Sequence, residues 1–332
     1  MKNNNYLNFI IESIKLAPLL WGLIIVLFLF PIMSLILDKP FWNDIAMRIM
    51  LLGIAGIGLN IAFGFGGMVS LGHALFIGIG AYSVGILNFF DFTNIYMHIA
   101  LSIFASGFFG FIIGILSLRT SGIYFIMITL AFAQMFYFLF ISLEIFGGDD
   151  GLSTDRSEFL IFDIYKPLRL YYVIALTLFL SAFVSCITFN SRFGVSIRAI
   201  KFNATRCESL GINLIKFRIT AFIFSAIICG ISGTLFANWQ EYVSPDIMHW
   251  TKSGEILIVI ILGGLGTLSG PMIGAVVFYL LEEFLPELIG VFVPEYQENW
   301  MLIFGPLLII IVFFGKGGAI ALIKKFFNYK KI

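Results

Sequence analysis

Long apolar segments separated by short polar breaks constrain the fold of this chain more than any other feature of its sequence. Ten segments can be placed, at residues 17–37, 45–63, 70–89, 96–118, 122–142, 168–189, 217–238, 256–267, 270–285 and 300–315. A helix needs about 20 apolar residues to cross a membrane, and the backbone polar groups of such a helix are satisfied within it. The alternation of apolar and polar residues that marks a membrane β-barrel is missing from the sequence. With 60% hydrophobic and 12% charged residues, the chain is predicted to be an all-α, polytopic integral membrane protein.

The charged residues indicate which side of the membrane each loop occupies. If the amino terminus lies inside, the inside loops carry 14 of the 20 Lys and Arg residues, and 17 of the 19 Asp and Glu residues fall outside. Lys and Arg are retained on the cytoplasmic side of membrane proteins, so both termini are predicted to be cytoplasmic. The outer surface is acidic, either as a solvated face or as a surface for a basic partner. Glu255, at the outer edge of the eighth segment, is either a rim charge or an acid of a transport path.

The longest basic interruption is an insert at residues 190–218, NSRFGVSIRAIKFNATRCESLGINLIKFR. Its six Lys and Arg residues are accompanied by one acid, Glu208. Helix-forming residues run from Gly194 towards Gly211, and a glycine after a helical stretch is typical of a helix stop. The insert is therefore predicted to be cytoplasmic, basic and helical, and its charges also help to retain it on that side of the membrane.

Two glycine-rich stretches interrupt the helical pattern, one in each half of the chain. They are GIGLNIAFGFGGMVSLGHALFIGIGAY at residues 56–82 and EILIVIILGGLGTLSGPMIGA at residues 255–275. Broken or re-entrant helices at these places give eight to ten spans in all. Unwound backbone within a membrane is tolerated where it lines a cavity or packs on protein, so both stretches predict a transport path. In the second stretch the predicted path residues are Gly263, Gly264, Gly266 and Thr267.

Polar side chains within the spans add candidates for this path. His73 lies just inside the third segment, where an ionisable side chain is a functional candidate; a neutral histidine bonded to a neighbouring helix is the alternative. Thr129 and Gln134 lie in mid-span, but their separation turns them about 140° apart on a helix, so both cannot point into one narrow path. Ser70 and Gly72, which precede His73, complete the predicted path.

Signature motifs for nucleotide binding and hydrolytic chemistry are missing from the sequence. No GxxxxGK followed by Ser or Thr occurs, and FFGKGGA at residues 313–319 has the wrong spacing for a phosphate-binding loop. Neither HExxH nor GxSxG is present. The three cysteines, Cys186, Cys207 and Cys229, lack metal-ligand spacing. The chain is predicted to be no enzyme and to bind no metal, and if ATP drives it, another subunit binds the nucleotide.

Several characteristic blocks follow one another along the chain. They are GLNIAFGFGGMVSLGHALFIGIGAY, RTSGIYFIMITLAFAQM, GGDDGL, SIRAI, ESLGIN, YVSPD and ILGGLGTLSGPMIGA. In these ordered blocks, from about residue 51 to residue 314, the sequence resembles the permease family of branched-chain amino acid ABC importers. The resemblance implies a single transmembrane permease domain over residues 1–332, located in the cytoplasmic (inner) membrane of a bacterium or archaeon.

The same resemblance implies a set of partners and a cargo. The importer would contain a second, related permease, two cytoplasmic ATPases that bind ATP and Mg²⁺, and an extracytoplasmic solute-binding protein. This chain would contact membrane lipid and bind neither a cofactor of its own nor nucleic acid. Its expected function is alternating-access uptake of branched-chain or other apolar amino acids. Urea or short amides are the alternative cargo, and a stand-alone secondary transporter or channel is a rival from another class.

In that family the position of residues 190–218 is taken by a coupling loop, whose short helix seats in a cleft of the ATPase. The residues implicated in coupling by the resemblance are Arg198, Ala199, Ile200, Glu208, Ser209 and Gly211. ABC importers commonly carry Glu-Ala-Ala, three further residues and Gly in this loop. Here Thr205, Arg206 and Cys207 precede Gly211, so only the glycine of that pattern is kept.

Overall fold

The computed structural model of the chain describes residues 17–36, 41–159, 167–292, 300–314 and 317–321. Its α-helices are α1 (Pro18–Ile36), α2 (Phe41–Leu59), α3 (His73–Phe89), α4 (Ile95–Ser117), α5 (Ile123–Ser142), α6 (Pro167–Asn190), α7 (Arg192–Phe202), α8 (Ala204–Ser209), α9 (Leu214–Gln240), α10 (Trp250–Gly263), α11 (Gly270–Phe292) and α12 (Trp300–Phe314). A π-helix, π1 (Asn60–Phe65), extends α2. The two termini, predicted to be cytoplasmic, lie outside the described residues.

Five of the described helical stretches are long and apolar enough to cross a membrane. They are Phe41–Phe65, Ile95–Ser117, Ile123–Ser142, Leu168–Asn190 and Leu214–Gln240. Shorter apolar helices accompany them at Pro18–Ser34, His73–Phe89 and Trp300–Ile311. The all-α, polytopic membrane fold that the apolar segments predict is confirmed.

The two ends of the bundle carry different elements. The insert end carries α7 and α8, the two helices of the basic insert, which lie against π1 and the start of α9. The far end carries β1 (Leu152–Ser153), which pairs antiparallel with β2 (Tyr242–Val243). Short 3-10 turns lie at Glu144–Phe146, Gly148–Asp150 and Pro245–Met248. The start of α2 is also at the far end, because Trp239 Nε1 donates a hydrogen bond to Asp44 at 2.7 Å.

The core of the bundle lies where α9 packs against α2, α3 and α4. Small residues bring these helices together: a Cβ added to Gly80 would lie 1.9 Å from the carbonyl oxygen of Gly230, so α3 needs glycine there. On the other side of α9, Ser106 and Gly110 of α4 pack against Gly230 and Ala226. Lipid supplies no hydrophobic force between helices, so backbone contacts of this kind hold the bundle together.

Both glycine-rich breaks are present in the structure. The first lies at residues 66–72, later than the apolar pattern indicates, because π1 continues the helix of α2 as far as Phe65. The second lies at residues 264–269, between α10 and α11. The breaks contain glycines with positive φ, 70° at Gly67 and 127° at Gly264, which a residue with a Cβ adopts only with strain.

The basic insert folds as two helices rather than as one helical stretch. Asn203 has an extended backbone (φ −154°, ψ 92°), which ends α7 and starts α8. Its side-chain oxygen accepts the N–H of Arg206 at 2.9 Å, and Asn favours such cap positions over helix interiors. Gly211 follows α8 with φ of 82°, and the N–H of Ile212 donates to the carbonyl oxygen of Cys207 at 3.0 Å. This is the bond pattern of a helix that ends at a glycine.

Candidate functional site

A buried asparagine, Asn60, joins the two glycine-rich breaks near the insert end. Its Nδ2 donates to the carbonyl oxygen of Thr267 at 2.9 Å, and its Oδ1 accepts the N–H of Gly266 at 3.2 Å. Only 1% of Asn60 is exposed, so these bonds supply the partners that a buried amide needs. Asn60 is the first residue of π1, and π-helical turns are frequent at functional sites. We call the contact region of residues 60–67 and 263–270 the glycine junction.

The glycine junction has no room for larger side chains. A Cβ added to Gly64 would lie 1.8 Å from Oδ1 of Asn60, and a Cβ added to Gly263 would lie 1.8 Å from the carbonyl oxygen of Gly270. Thr267 Oγ1 accepts the N–H of Gly270 at 3.1 Å, which satisfies a donor at the start of α11. The glycines predicted to line a path thus form a close-packed, hydrogen-bonded contact in this structure.

Lys201 of α7 links the insert to the glycine junction. Its ammonium group donates to the carbonyl oxygen of Gly64 at 2.8 Å. Its side chain crosses Gly67, where an added Cβ would lie 2.9 Å from Lys201 Cγ. Partial burial lowers the pKa of Lys201 below its ordinary value. Since α7 belongs to the insert and Gly64 to a helix that crosses the bundle, this contact connects the insert directly to the core.

Three of the six insert residues predicted to couple to an ATPase lie against the chain's own bundle. Arg198 donates from Nε to Gly194 at 3.1 Å and from Nη2 to Phe189 at 3.0 Å, and its guanidinium lies 3.7 Å from the Phe189 ring centroid. Ile200 is 1% exposed, and Ala199 is partly buried beside it. These contacts anchor α7 to the end of α6.

The other three predicted residues, Glu208, Ser209 and Gly211, are exposed around α8. Beside them are two large apolar side chains that sequence reasoning missed, Phe202 and Leu210, which are 87% and 75% exposed. Exposed apolar residues with a polar surround are typical of a protein interaction site. The sequence alone does not single out Phe202 and Leu210, because an apolar residue beside a polar helix can equally well lie in the core.

Four predicted path residues meet at the first turn of α3. Thr129 Oγ1 accepts the N–H of Leu71 at 3.3 Å, and a Cβ on Gly72 would lie 2.7 Å from the carbonyl oxygen of Thr129. Ser70 Oγ accepts the N–H of Gly72 at 3.2 Å. These residues and His73 are buried, and their hydrogen bonds hold the backbone as it re-enters the bundle.

His73 is fully buried and bonded to a neighbouring helix. Its Nε2 lies 2.8 Å from Ser225 Oγ of α9, and that hydroxyl donates to the carbonyl oxygen of Gly58 at 2.6 Å. The imidazole lies edge-on to Phe76 and Phe222, with ring centroids 5.6 and 5.3 Å away. This environment favours the alternative in which His73 links helices α2, α3 and α9.

A cavity lies in the far half of the bundle, and none of the predicted path residues lines it. Its volume is about 470 Å³, and its charged lining residues are Arg48, Lys252, Glu255 and Glu282. Gln134, the remaining path candidate, is half-buried on α5. Its Nε2 has no hydrogen-bond partner within the described part of the chain. The same part of the chain contains no group of three or more His, Cys, Asp or Glu residues that could hold a metal ion.

Comparisons with known proteins agree on one family. Residues 42–312 match a family model described as "Branched-chain amino acid transport system / permease component". The chain is 29% identical over 294 residues to the high-affinity branched-chain amino acid transport system permease protein LivM of Salmonella typhimurium, covering 81% of this chain and 67% of that protein. It is 28% identical over 316 residues to LivM of Escherichia coli, with coverage of 86% and 72%. It is 26% identical over 129 residues to a probable LivH permease of Methanocaldococcus jannaschii, with coverage of 37% and 38%. No solved structure matches the chain.

Proposed function

Since the chain belongs to the branched-chain amino acid transport permease family, we propose that it is a membrane-spanning subunit of an ATP-binding cassette importer. In this proposal it carries branched-chain or other apolar amino acids into the cytoplasm by alternating access. Relatives named as high-affinity branched-chain amino acid permeases support this cargo. The observation that carries the mechanism is the contact from the insert, through Lys201, to the glycine junction.

The proposed importer draws its energy from partner subunits. The sequence has no phosphate-binding loop, so ATP and Mg²⁺ bind to two cytoplasmic ATPases. A second, related permease completes the path, and the likeness of this chain to both LivM and LivH proteins fits a pair of common ancestry. An extracytoplasmic solute-binding protein delivers the cargo at the far end, where exposed acids such as Asp149 and Asp150 suit a basic partner surface.

The insert is the part that the ATPases move in this mechanism. Its basic residues retain it in the cytoplasm, and the exposed side chains of Phe202 and Leu210 offer the ATPase apolar anchors. A displacement of α7 acts on Gly64 through Lys201, and Asn60 passes it to the second break. Each break separates two helices, so a small shift at the glycine junction changes the tilt of those helices relative to each other.

Urea or short amides are the alternative cargo for the same architecture. The names of the relatives favour amino acids. The two cargo classes also differ in charge, because an amino acid is a zwitterion at neutral pH and urea is neutral. A stand-alone secondary transporter or channel differs in its energy source instead, since it would need no ATPase.

Reconstitution of the assembled transporter in liposomes tests the proposal. ATP hydrolysis and the uptake of leucine, valine and urea are measured in parallel, with the binding protein present. We expect leucine and valine to accumulate only with ATP and to stimulate its hydrolysis. Accumulation of urea in their place would assign the alternative cargo. Uptake by this chain in the absence of the ATPases would contradict the importer proposal.

A further inference from the structure

The cavity of about 470 Å³ in the far half of the bundle has the size of a small-molecule site, for which 300–1,000 Å³ is typical. It is lined by residues of α2, α3, α9, α10 and α11, and its lining combines both signs of charge with apolar surface. Hydrophobic side chains of its wall include Leu51, Ile77, Phe236, Ile256 and Phe278. A ligand that fits this cavity therefore has charged groups of both signs and an apolar part.

The positive side of the cavity, Arg48, is held in place by protein contacts. Its Nη1 donates to the Tyr279 hydroxyl at 2.6 Å, and its Nε lies 3.2 Å from an oxygen of Asp44. The guanidinium also lies 4.7 Å from the centroid of the Trp239 ring, whose Nε1 donates to Asp44. No hydrogen bond within the described part of the chain engages Nη2, and 43% of the side chain is exposed. A guanidinium fixed on one side and free on the other is suited to bind a carboxylate.

The negative side of the cavity is formed by two carboxylates with different partners. Glu255 is paired with Lys252, whose Nζ lies 2.9 Å away. Glu282 is half-buried, and no ion pair to it occurs among the described residues. It lies within electrostatic range of two cations, Lys252 and Arg48, and of two acids, Glu255 and Glu283. A half-buried carboxylate that lacks a direct ion pair is poorly compensated, so a ligand cation in contact with Glu282 would be stabilised.

We propose that this cavity binds a zwitterionic α-amino acid with an apolar side chain, with Arg48 on the carboxylate and Glu282 on the ammonium group. The apolar wall then receives the side chain, whose burial is favourable. A neutral amide would leave both charged residues unmatched, so the cavity discriminates against it. The inference rests on the proposed function for its cargo class, and it assigns a cargo site whose residues differ from the path that the sequence predicts.

Calorimetric titration tests the site directly. The complex of permeases and ATPases, without the solute-binding protein, is titrated in nanodiscs with three ligands: leucine, leucinamide, which lacks the carboxylate, and 4-methylpentanoate, which lacks the ammonium group. We expect the wild type to bind leucine at least tenfold more tightly than either analogue, since each analogue loses a charge-assisted hydrogen bond.

Three variants test which residue binds the carboxylate of the ligand and which binds its ammonium group. Arg48→Gln should lose the preference for leucine over leucinamide, and Glu282→Gln should lose the preference over 4-methylpentanoate. Glu287→Gln is the matched control, because Glu287 is an exposed acid of the same helix outside the cavity lining. Arg48 also contacts Tyr279 and Asp44, so Glu282→Gln, which breaks no hydrogen bond or ion pair of the described structure, provides the variant free of folding effects.

The outcomes separate the site from the function. If wild-type liposomes accumulate leucine with ATP but both variants keep the ligand preferences of the wild type, the cavity assignment is overturned and the importer proposal stands. Absence of measurable leucine binding to the wild-type complex also overturns the site. Failure of ATP-driven leucine uptake by the wild type counts against the proposed function itself.

Discussion

The far half and the insert half of this bundle use the same helices in opposite ways. In the far half, α2, α10 and α11 stand apart around a cavity with charged side chains. At the insert end, π1 and the break between α10 and α11 meet at the glycine junction, where backbone atoms lie in contact. About 24 Å of helix separates Arg48 in the first region from Gly64 in the second, at 1.5 Å per residue.

The difference shows how the size of the side chains sets the distance between the helices in each half of the bundle. Charged and apolar side chains line the gap in the far half, whereas glycines at the insert end allow the backbones to touch. In the proposed importer, alternating access requires the closed region to open as the open region closes. Substitutions at the glycine junction should affect the opening of the closed region, and substitutions in the cavity should affect the open region.

Gly64→Ala should have the largest effect, because it acts on a close-packed contact that joins π1 to the second break. The added Cβ would lie 1.8 Å from Asn60 Oδ1 and 3.0 Å from the Gly266 nitrogen. Overpacking of this kind costs about 1–3 kcal/mol, so we expect a lower melting temperature in detergent and loss of ATP-driven uptake. Gly107→Ala is the control, since its Cβ would meet nothing closer than 3.5 Å. Normal uptake by Gly64→Ala would show that the junction tolerates expansion.

Gly211→Val should abolish ATP-driven uptake and leave membrane insertion and the melting temperature unchanged. Gly211 has φ of 82°, which strains a β-branched residue, so the end of α8 should rearrange. An added Cβ would meet no atom within 4 Å, so steric conflict inside the bundle is not expected. Gly22→Val, in α1 and equally free of neighbours, is the control. Wild-type uptake would remove Gly211 from the coupling assignment.

Lys201→Met should have the smallest effect, a reduction of uptake of roughly tenfold, because it removes one charge-assisted hydrogen bond to Gly64 and keeps the apolar stem. The affinity of the permease and ATPase complex for leucine should stay unchanged, since the cavity lies at the other end of the bundle. Lys216→Met removes the same charge from an exposed position of the insert and controls for topology. Equal loss of uptake in both variants would assign the effect to charge and not to the contact.

The spans and both glycine-rich breaks could be predicted because they depend on local sequence. The length of an apolar segment and the presence of glycine within it can be read from neighbouring residues, because both affect only the local helix. The sequence predicts helix in the insert but not its division into two helices, which arises because the side chain of Asn203 caps a new helix instead of continuing the first. The first break also starts later than the apolar segments indicate, since π1 carries the helix on to Phe65 and π-helical turns have no clear sequence pattern.

The residues that organise the candidate site were harder to predict. Asn60 is the polar residue in GLNIAF. A polar residue within an apolar span is the sequence feature that could have marked it as a site residue. Its partners, Gly266 and Thr267, lie more than 200 positions away in the sequence. Arg48 lies near the start of an apolar segment, a position that fits a loop as well as a cavity wall. Conversely, His73 is a path candidate in the sequence because it is ionisable, and in the structure it joins helices.

Local sequence features are sufficient to identify this chain as a helical membrane protein of the permease family, to place its spans and breaks, and to mark the basic insert. These properties follow from hydropathy, glycine content and ordered motifs, which depend on residues close together in the chain. Helix packing adds that Asn60 binds the second break, that Lys201 ties the insert to the glycine junction, and that Arg48 and Glu282 line one cavity. Those relations join distant segments, and helix packing in three dimensions brings such segments together.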